Sequence, residues 1–262
     1  MRFYDFEYDG LKLSDMGYIV CKFNTQGLET ITNGSQITFN TVPIFYGKKN
    51  YVISAKYEEC LEATFQICKN PCDNKFLSIS VNEERDIMSW LNRKTCHKFK
   101  ILEDDYLDLF FNSSFNISRI EMNGQLYGFE LKMKTDAPFA YREPLIIEWN
   151  IANVNQSKVL FDLSDEEGFI YPETEIEVLQ DGDFSIHHKQ ENRDLFISNC
   201  SKGETIKLNY PEISSTGDKI QNRFNWNFLR IINTFKNKEN ELVFSLPCNI
   251  RIKYNPLIKV GI

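Results

Sequence analysis

One amphipathic helix, Asn82 to about Lys94 (NEERDIMSWLNRK), stands alone among segments that otherwise read as strands, and it decides the class of fold this chain can adopt. Asn82 is placed to cap the first turn. Glu83, Glu84 and Asp86 put negative charge at the positive end of the helix dipole, and Arg93 and Lys94 sit at the opposite end. Ile87, Trp90 and Leu91 recur at i, i+3 and i+4, so one face packs on a sheet while Arg85, Ser89 and Asn92 face water. The composition agrees: 21 Phe and 12 Tyr against 3 Trp favour strands.

The strand candidates begin at the N-terminus. In Phe3 to Tyr8, alternation places Tyr4, Phe6 and Tyr8 on one face, and Asp9-Gly10 turns the chain into Leu11 to Val20. Asn33-Gly34 marks a second turn before Gln36 to Val42, and residues 46–50 mark a third before Tyr51 to Lys56. Thr64 to Lys69, Phe76 to Val81, Lys98 to Leu102, Tyr106 to Ile117 with a break near Asn112 to Ser114, and Leu126 to Lys134 after the Asn123-Gly124 turn complete the first half. One helix among antiparallel strands predicts an α+β domain.

Thr135 to Pro144 (TDAPFAYREP) changes the texture, with two prolines between strand-like segments, as at a domain junction. The reading is two domains, 1–138 and 139–262. Short candidates follow at Leu145 to Val154, Lys158 to Leu163, Thr174 to Leu179, Phe184 to His188, Leu195 to Asn199, Thr205 to Asn209, Asn225 to Ile231, Glu241 to Leu246 and Asn249 to Tyr254. Asn, Asp, Gly and Pro clusters separate them, the spacing of a β-sandwich or jelly roll.

Chemistry is sparse. Cys68, Cys72, Cys96 and His97 lack the paired short spacings of a structural zinc site and read instead as small apolar side chains, so no metal is expected. Glu103, Asp104, Asp105 and Asp108 form one acidic cluster and Asp165, Glu166 and Glu167 another. Adjacent acids in loops are ordinarily solvated and do not flank a scissile bond. His187 and His188 are neighbours on a strand and point to opposite faces, one surface and one core. Phosphate-cradling glycine loops and nucleophile elbows are missing, so the expectation is no catalytic residue, no cofactor and no enzyme. Trp149 and Trp226 on a sandwich suggest a sugar-stacking platform, but Phe224, Trp226 and Phe228 alternate strictly, which predicts that all three face the core.

A net charge of −7 without a basic stripe argues against nucleic acid as a partner. The start MRFYDFEYDG is unlike a signal peptide, and no apolar run approaches the roughly 18 residues that span a bilayer, so synthesis in the cytoplasm and no membrane insertion are expected.

Several phrases together carry a resemblance. LSDMGYIV (13–20), GSQITFNTVP (34–43), FQICK (65–69), WLNRK (90–94), TDAPFA (135–140), GFIYPETEIE (168–177), NCSKGETI (199–206) and NPLIKVGI (255–262) resemble, in order and along the whole chain, the distal tail protein family of long-tailed bacteriophages. The resemblance implies an N-terminal belt domain, a split β-barrel with one helix, that assembles into a hexameric ring, followed by a galectin-like β-sandwich. It implies a virion structural protein at the tail tip, made in the host bacterial cytoplasm. Its hub would join the tail tube protein and the tail-associated hub protein to receptor-binding or baseplate proteins. A phage, a prophage remnant and a tail-like bacteriocin would use the same hub. A ring needs strand edges that neighbours complete, and Leu28 to Ile31 and Gln36 to Val42 are candidates for such an edge, a hairpin buried within one barrel being equally consistent with them. The alternative function is a carbohydrate-binding module of β-sandwich type.

Overall fold

A computed structural model describes residues 3–23, 36–45, 47, 49–58, 60–217 and 219–260. The expected Leu28 to Ile31 edge and the Asn33-Gly34 turn lie outside them. The chain forms two compact units, one of residues up to Arg142 with 259–260, the other Glu143–Ile258. The fold is mainly β, with one α-helix, Val81–Leu91, among the described residues.

In the first unit an antiparallel sheet runs in the order Leu11–Lys12, Phe6–Tyr8, His97–Ile101, Leu109–Met122, Gln125–Thr135, Glu62–Lys69 and Tyr18–Cys21. Ala140–Arg142 pairs with the start of Leu109–Met122. Beyond the ladders, Val20 N donates to Tyr4 O at 3.1 Å, so the sheet curls toward its own edge without closing into a barrel. Asp9 and Gly10, and Asn123 and Gly124, all take positive φ, the geometry that two-residue hairpin turns demand.

The helix covers this sheet with Ile87, Trp90 and Leu91, all buried. Trp90 Nε1 donates to Tyr8 O at 3.0 Å, and its ring stacks on Phe6 at 5.8 Å. Phe3, Phe65, Phe99 and Phe115 surround Phe6, mostly edge to face, the arrangement that ring quadrupoles favour. The cap is Ser80 and not Asn82. Ser80 accepts from Glu83 N while the Glu83 carboxylate accepts from Ser80 N at 2.7 Å, a reciprocal box that begins the helix earlier than the charge pattern suggested. Burial alone would raise the Glu83 carboxyl, but the nearly buried Lys69 ammonium at 2.7 Å and the Ser80 hydrogen bonds outweigh it and hold it below its ordinary range.

Three strand expectations in this unit are corrected. Tyr4 does not share a face with Phe6 and Tyr8: it precedes the strand and is 75% exposed, while Phe3 takes the buried position. Phe76 to Val81 is a connection into the helix and not a strand, with Phe76 and Val81 exposed. Asn112 to Ser114 does not break its segment, because Asn112 and Ser113 pair with Lys98 and His97 and Ser113 also pairs with Thr135, so Leu109–Met122 runs on unbroken.

The second unit is a β-sandwich. Five strands run in the order Leu145–Ile151, Cys248–Tyr254, Glu173–Val178, Thr205–Asn209, Glu212–Ser215, and four in the order Gln156–Phe161, Glu239–Phe244, Gly182–His188, Arg193–Cys200. Alternating residues of both sheets, among them Ile176, Val178, Phe184, Ile186, Ile197, Ile206, Phe244 and Ile250, form one core. Gly168–Ile170 and Ile231–Asn233 add a small two-stranded sheet. Buried Asn240 stitches the interior: its Oδ1 lies 2.9 Å from His188 Nε2 and accepts from Ile232 N at 2.7 Å, and its Nδ2 donates to Ile232 O at 3.0 Å. Asn225 to Arg230 is not a strand, and the expected segment pairs only from Ile231; before it, Phe224 bridges to Ile197 and the chain bends.

Candidate functional site

The first unit carries a structural anomaly that points to function. Ile37–Pro43 and Asn50–Tyr57 form a hairpin of their own, and among the described residues neither strand pairs with any other. The ladder runs from Ile37↔Tyr57 to Pro43↔Asn50, with a bulge that leaves Ile53 unpaired. Paired residues share a face. One face therefore gathers Ile37, Tyr57, Phe39, Ala55, Thr41, Val52, Pro43 and Asn50, and the other gathers Thr38, Lys56, Asn40 and Ser54, with Val42 and Tyr51 toward the turn. Asn40 Nδ2 donating to Ser54 Oγ at 2.9 Å, and Thr38 bonded to Glu58, satisfy the polar face locally.

The ribbon is thus amphipathic, yet its apolar side chains stay in solvent. Ile37, Phe39, Val42, Tyr51 and Val52 are all exposed, Ile53 is 63% exposed, and Phe45 at the turn 88%. The root is seated, where Tyr57 meets Phe139 edge-on at 5.0 Å. An isolated two-stranded ribbon is marginal in water, and contiguous exposed apolar surface marks an interaction site. Among the described residues both edges are open, and an open edge presents backbone donors and acceptors to a partner. Gln36 to Val42 was legible in sequence as a candidate edge. That its partner Asn50–Tyr57 shares the role was not, because the pattern of an exposed amphipathic hairpin equals that of one lying on a core.

The residues considered for chemistry lie apart from this ribbon. His97 Nε2 sits 2.9 Å from Thr95 Oγ1, and its Nδ1 3.5 Å from Asp9. Among the described residues no group of His, Cys, Asp and Glu gathers in a way that would hold a metal. Cys68 and Cys21 share hydrogen-bonded thiols, an interaction that, together with burial, pushes Cys21 far above the ordinary thiol range. Asp104 and Asp105, which open a short 3-10 helix, and the loop residues Asp108, Asp165 and Glu167 are exposed. His188 is buried, and His187 lies on the opposite face beside Asp194 at 2.8 Å, as the alternation predicted. Trp149 packs edge-on against Phe244. Trp226 does not face the core as expected: Phe224 and Phe228 are buried on either side, while Trp226 takes φ 59° and is 52% exposed.

Family comparison agrees with an architectural chain. A model described as a phage tail protein N-terminal domain matches residues 1–137, and one described as a phage tail C-terminal domain matches residues 139–254. The chain belongs to this phage tail protein family. The crystal structure of the SPP1 Dit (gp 19.1) protein, described as a paradigm of the hub adsorption apparatus in phages infecting Gram-positive bacteria, is similar with a TM-score of 0.66 at 10% identity. The likeness covers 97% of this chain and 99% of that one. Such identity speaks to the fold, and the mainly β class with one helix is borne out by it. The resemblance to distal tail proteins is likewise borne out, in family and in fold. No curated protein matches the sequence. Among the described residues no helix of this tail protein is long and apolar enough to cross a membrane.

Proposed function

We propose that this phage tail protein is a hub subunit at the tail tip. Six copies close into a ring that joins the tail tube protein and a tail-associated hub protein to the baseplate or receptor-binding proteins. In this reading residues 1–138 form the belt that makes the ring, and residues 139–262 form a galectin-like sandwich. The role is structural, without catalysis.

The free amphipathic hairpin carries the proposal. Closure of a ring requires a heterologous contact, one surface of each copy seated on a different surface of the next. A ribbon with an uncovered apolar face and unpaired edges is suited to lie on a neighbouring copy, where each buried large side chain contributes roughly 1.5–3 kcal/mol. The tail family and the fold shared with a protein described as a hub support the same reading.

The test is the solution mass of the purified chain by light scattering across concentration, alone and with tail tube protein, followed by negative-stain imaging. Six-fold rings that disappear on replacing Phe39 and Val52 with Asp are the expected result. Persistent monomers in both conditions would refute the hub assignment.

A further inference from the structure

We propose that the second unit carries a glycan-binding platform centred on Trp226, an assignment independent of ring formation.

The backbone gives the first indication. Left-handed φ is an outlier for a bulky side chain, and Trp226 holds it at 59° while its ring stays half in solvent. Such strain persists where the surroundings over-determine it, commonly at ligand sites. Here the surroundings are two asparagines. Asn225 Nδ2 donates to Asp194 O at 2.9 Å, and Asn225 Oδ1 accepts from Phe196 N at 3.2 Å and from Asn227 N at 3.1 Å. Asn227 Nδ2 donates to Asp194 O at 3.1 Å. The turn is locked to the edge strand Arg193–Cys200, so the indole is presented in one place before any ligand arrives.

The ring also leads a chain of aromatic contacts that passes through buried Phe228. Trp226 lies 6.4 Å from Phe228, Phe228 lies 5.3 Å from Tyr210, and Tyr210 stacks on Tyr171 at 4.1 Å with planes 6° apart. Phe169 follows at 5.4 Å from Tyr171, with the Arg230 guanidinium 4.2 Å over its ring. Trp226, Tyr210 and Phe169 are the exposed members.

Planar polar groups are interleaved with the rings. Arg230 donates through Nε and Nη2 to Tyr171 Oη at 3.2 and 2.9 Å. Arg193 donates through Nη2 to Asn227 Oδ1 at 3.1 Å, while its Nη1 is buried with no partner among the described residues.

This combination selects a sugar. A pyranose offers a face of C–H bonds that packs on an aromatic ring and a rim of hydroxyls for amides and guanidinium groups.

The test applies the full chain to a printed array of bacterial surface oligosaccharides and titrates the hits by isothermal titration calorimetry. At least one oligosaccharide should bind. Trp226→Ala should weaken it about tenfold or more, Tyr210→Ala should weaken it less, Trp226→Phe should keep it within a few-fold, and Trp149→Phe should leave it unchanged. Trp226→Asn replaces the alanine variant if that variant fails to fold, because Asn accepts left-handed backbone. A silent array, binding indifferent to Trp226→Ala and Trp226→Asn, or a purified tail protein held through Trp226 by a chain that binds no sugar, would each overturn the assignment.

Discussion

Arg223 Nη2 lies 2.5 Å from Glu204 Oε1, and Glu204 is 4% exposed inside the second unit. Arg223 Nη1 reaches Glu204 Oε2 at 3.3 Å and Asn199 O at 2.8 Å, and Ser201 N donates to Glu204 Oε2 at 3.1 Å. Burial pushes this carboxyl up, but the guanidinium and the Ser215 hydroxyl outweigh it and leave it below its ordinary range. A carboxyl whose folded pKa is depressed contributes stability that is fully present above its unfolded pKa and is lost as pH falls through the folded value. Glu204→Gln should therefore destabilise the sandwich by about 3 kcal/mol at neutral pH, since it removes the negative charge that faces a mostly buried guanidinium. The gap between variant and parent should hold down to the ordinary carboxylate range and narrow below it. Thermal melts in a pH series check this; a gap that widens with acid contradicts the assignment.

The same carboxylate constrains its neighbour. A Cβ on Gly217 would stand 2.5 Å from Glu204 Oε1 and 2.6 Å from Cδ. Elsewhere a Glu terminus would swing aside, but here Arg223, Ser215 and Ser201 hold it. Gly217→Ala should cost about 2 kcal/mol through displacement of this network. In the Glu204→Ala background most of that cost should vanish, so a double-mutant cycle by denaturant unfolding decides between a local clash and a general loop effect.

The hairpin predicts a separation between folding and assembly. Phe39 is 57% exposed on the ribbon, so Phe39→Asp should change the stability of the isolated chain by no more than about 0.5 kcal/mol. The same change should abolish rings, because a charge would have to be buried on the neighbouring copy. Thermal melting and light scattering on one preparation measure both quantities. A large loss of stability would place Phe39 in an intramolecular core instead.

What sequence disclosed follows from which physics is local. The helix was legible because Ile87, Trp90 and Leu91 repeat at helical spacing, and the Asp9-Gly10 and Asn123-Gly124 turns because few residues accept positive φ. Trp226 misled because alternation with Phe224 and Phe228 looks the same whether the chain runs straight or bends. The bend is imposed by Asn225 and Asn227 on Asp194, which is remote in sequence. The hairpin was legible as strands, but its lack of a core beneath is a tertiary fact that periodicity does not encode. Ser80 was missed as the cap because its box with Glu83 begins before the charged run that drew the eye.

Gly128 offers the sharpest test of packing in the first unit. It lies within Gln125–Thr135, opposite Cys68 on one side and Ile120 on the other. A Cβ there would fall 2.5 Å from the Ile67 carbonyl oxygen and 2.7 Å from the Phe23 ring. The ring can turn, but the carbonyl belongs to a strand fixed on both edges and cannot retreat without breaking its ladder. Gly128→Ala should cost about 3 kcal/mol. Gly124, in the adjoining turn, has φ 75° and open space around a built Cβ, so Gly124→Ala should cost only the conformational penalty of about 1 kcal/mol. Denaturant unfolding of the two variants side by side separates close backbone approach from left-handed geometry. Equal costs would mean that the strand slides to make room, and that the sheet is softer around Ile67 than its two-sided pairing implies.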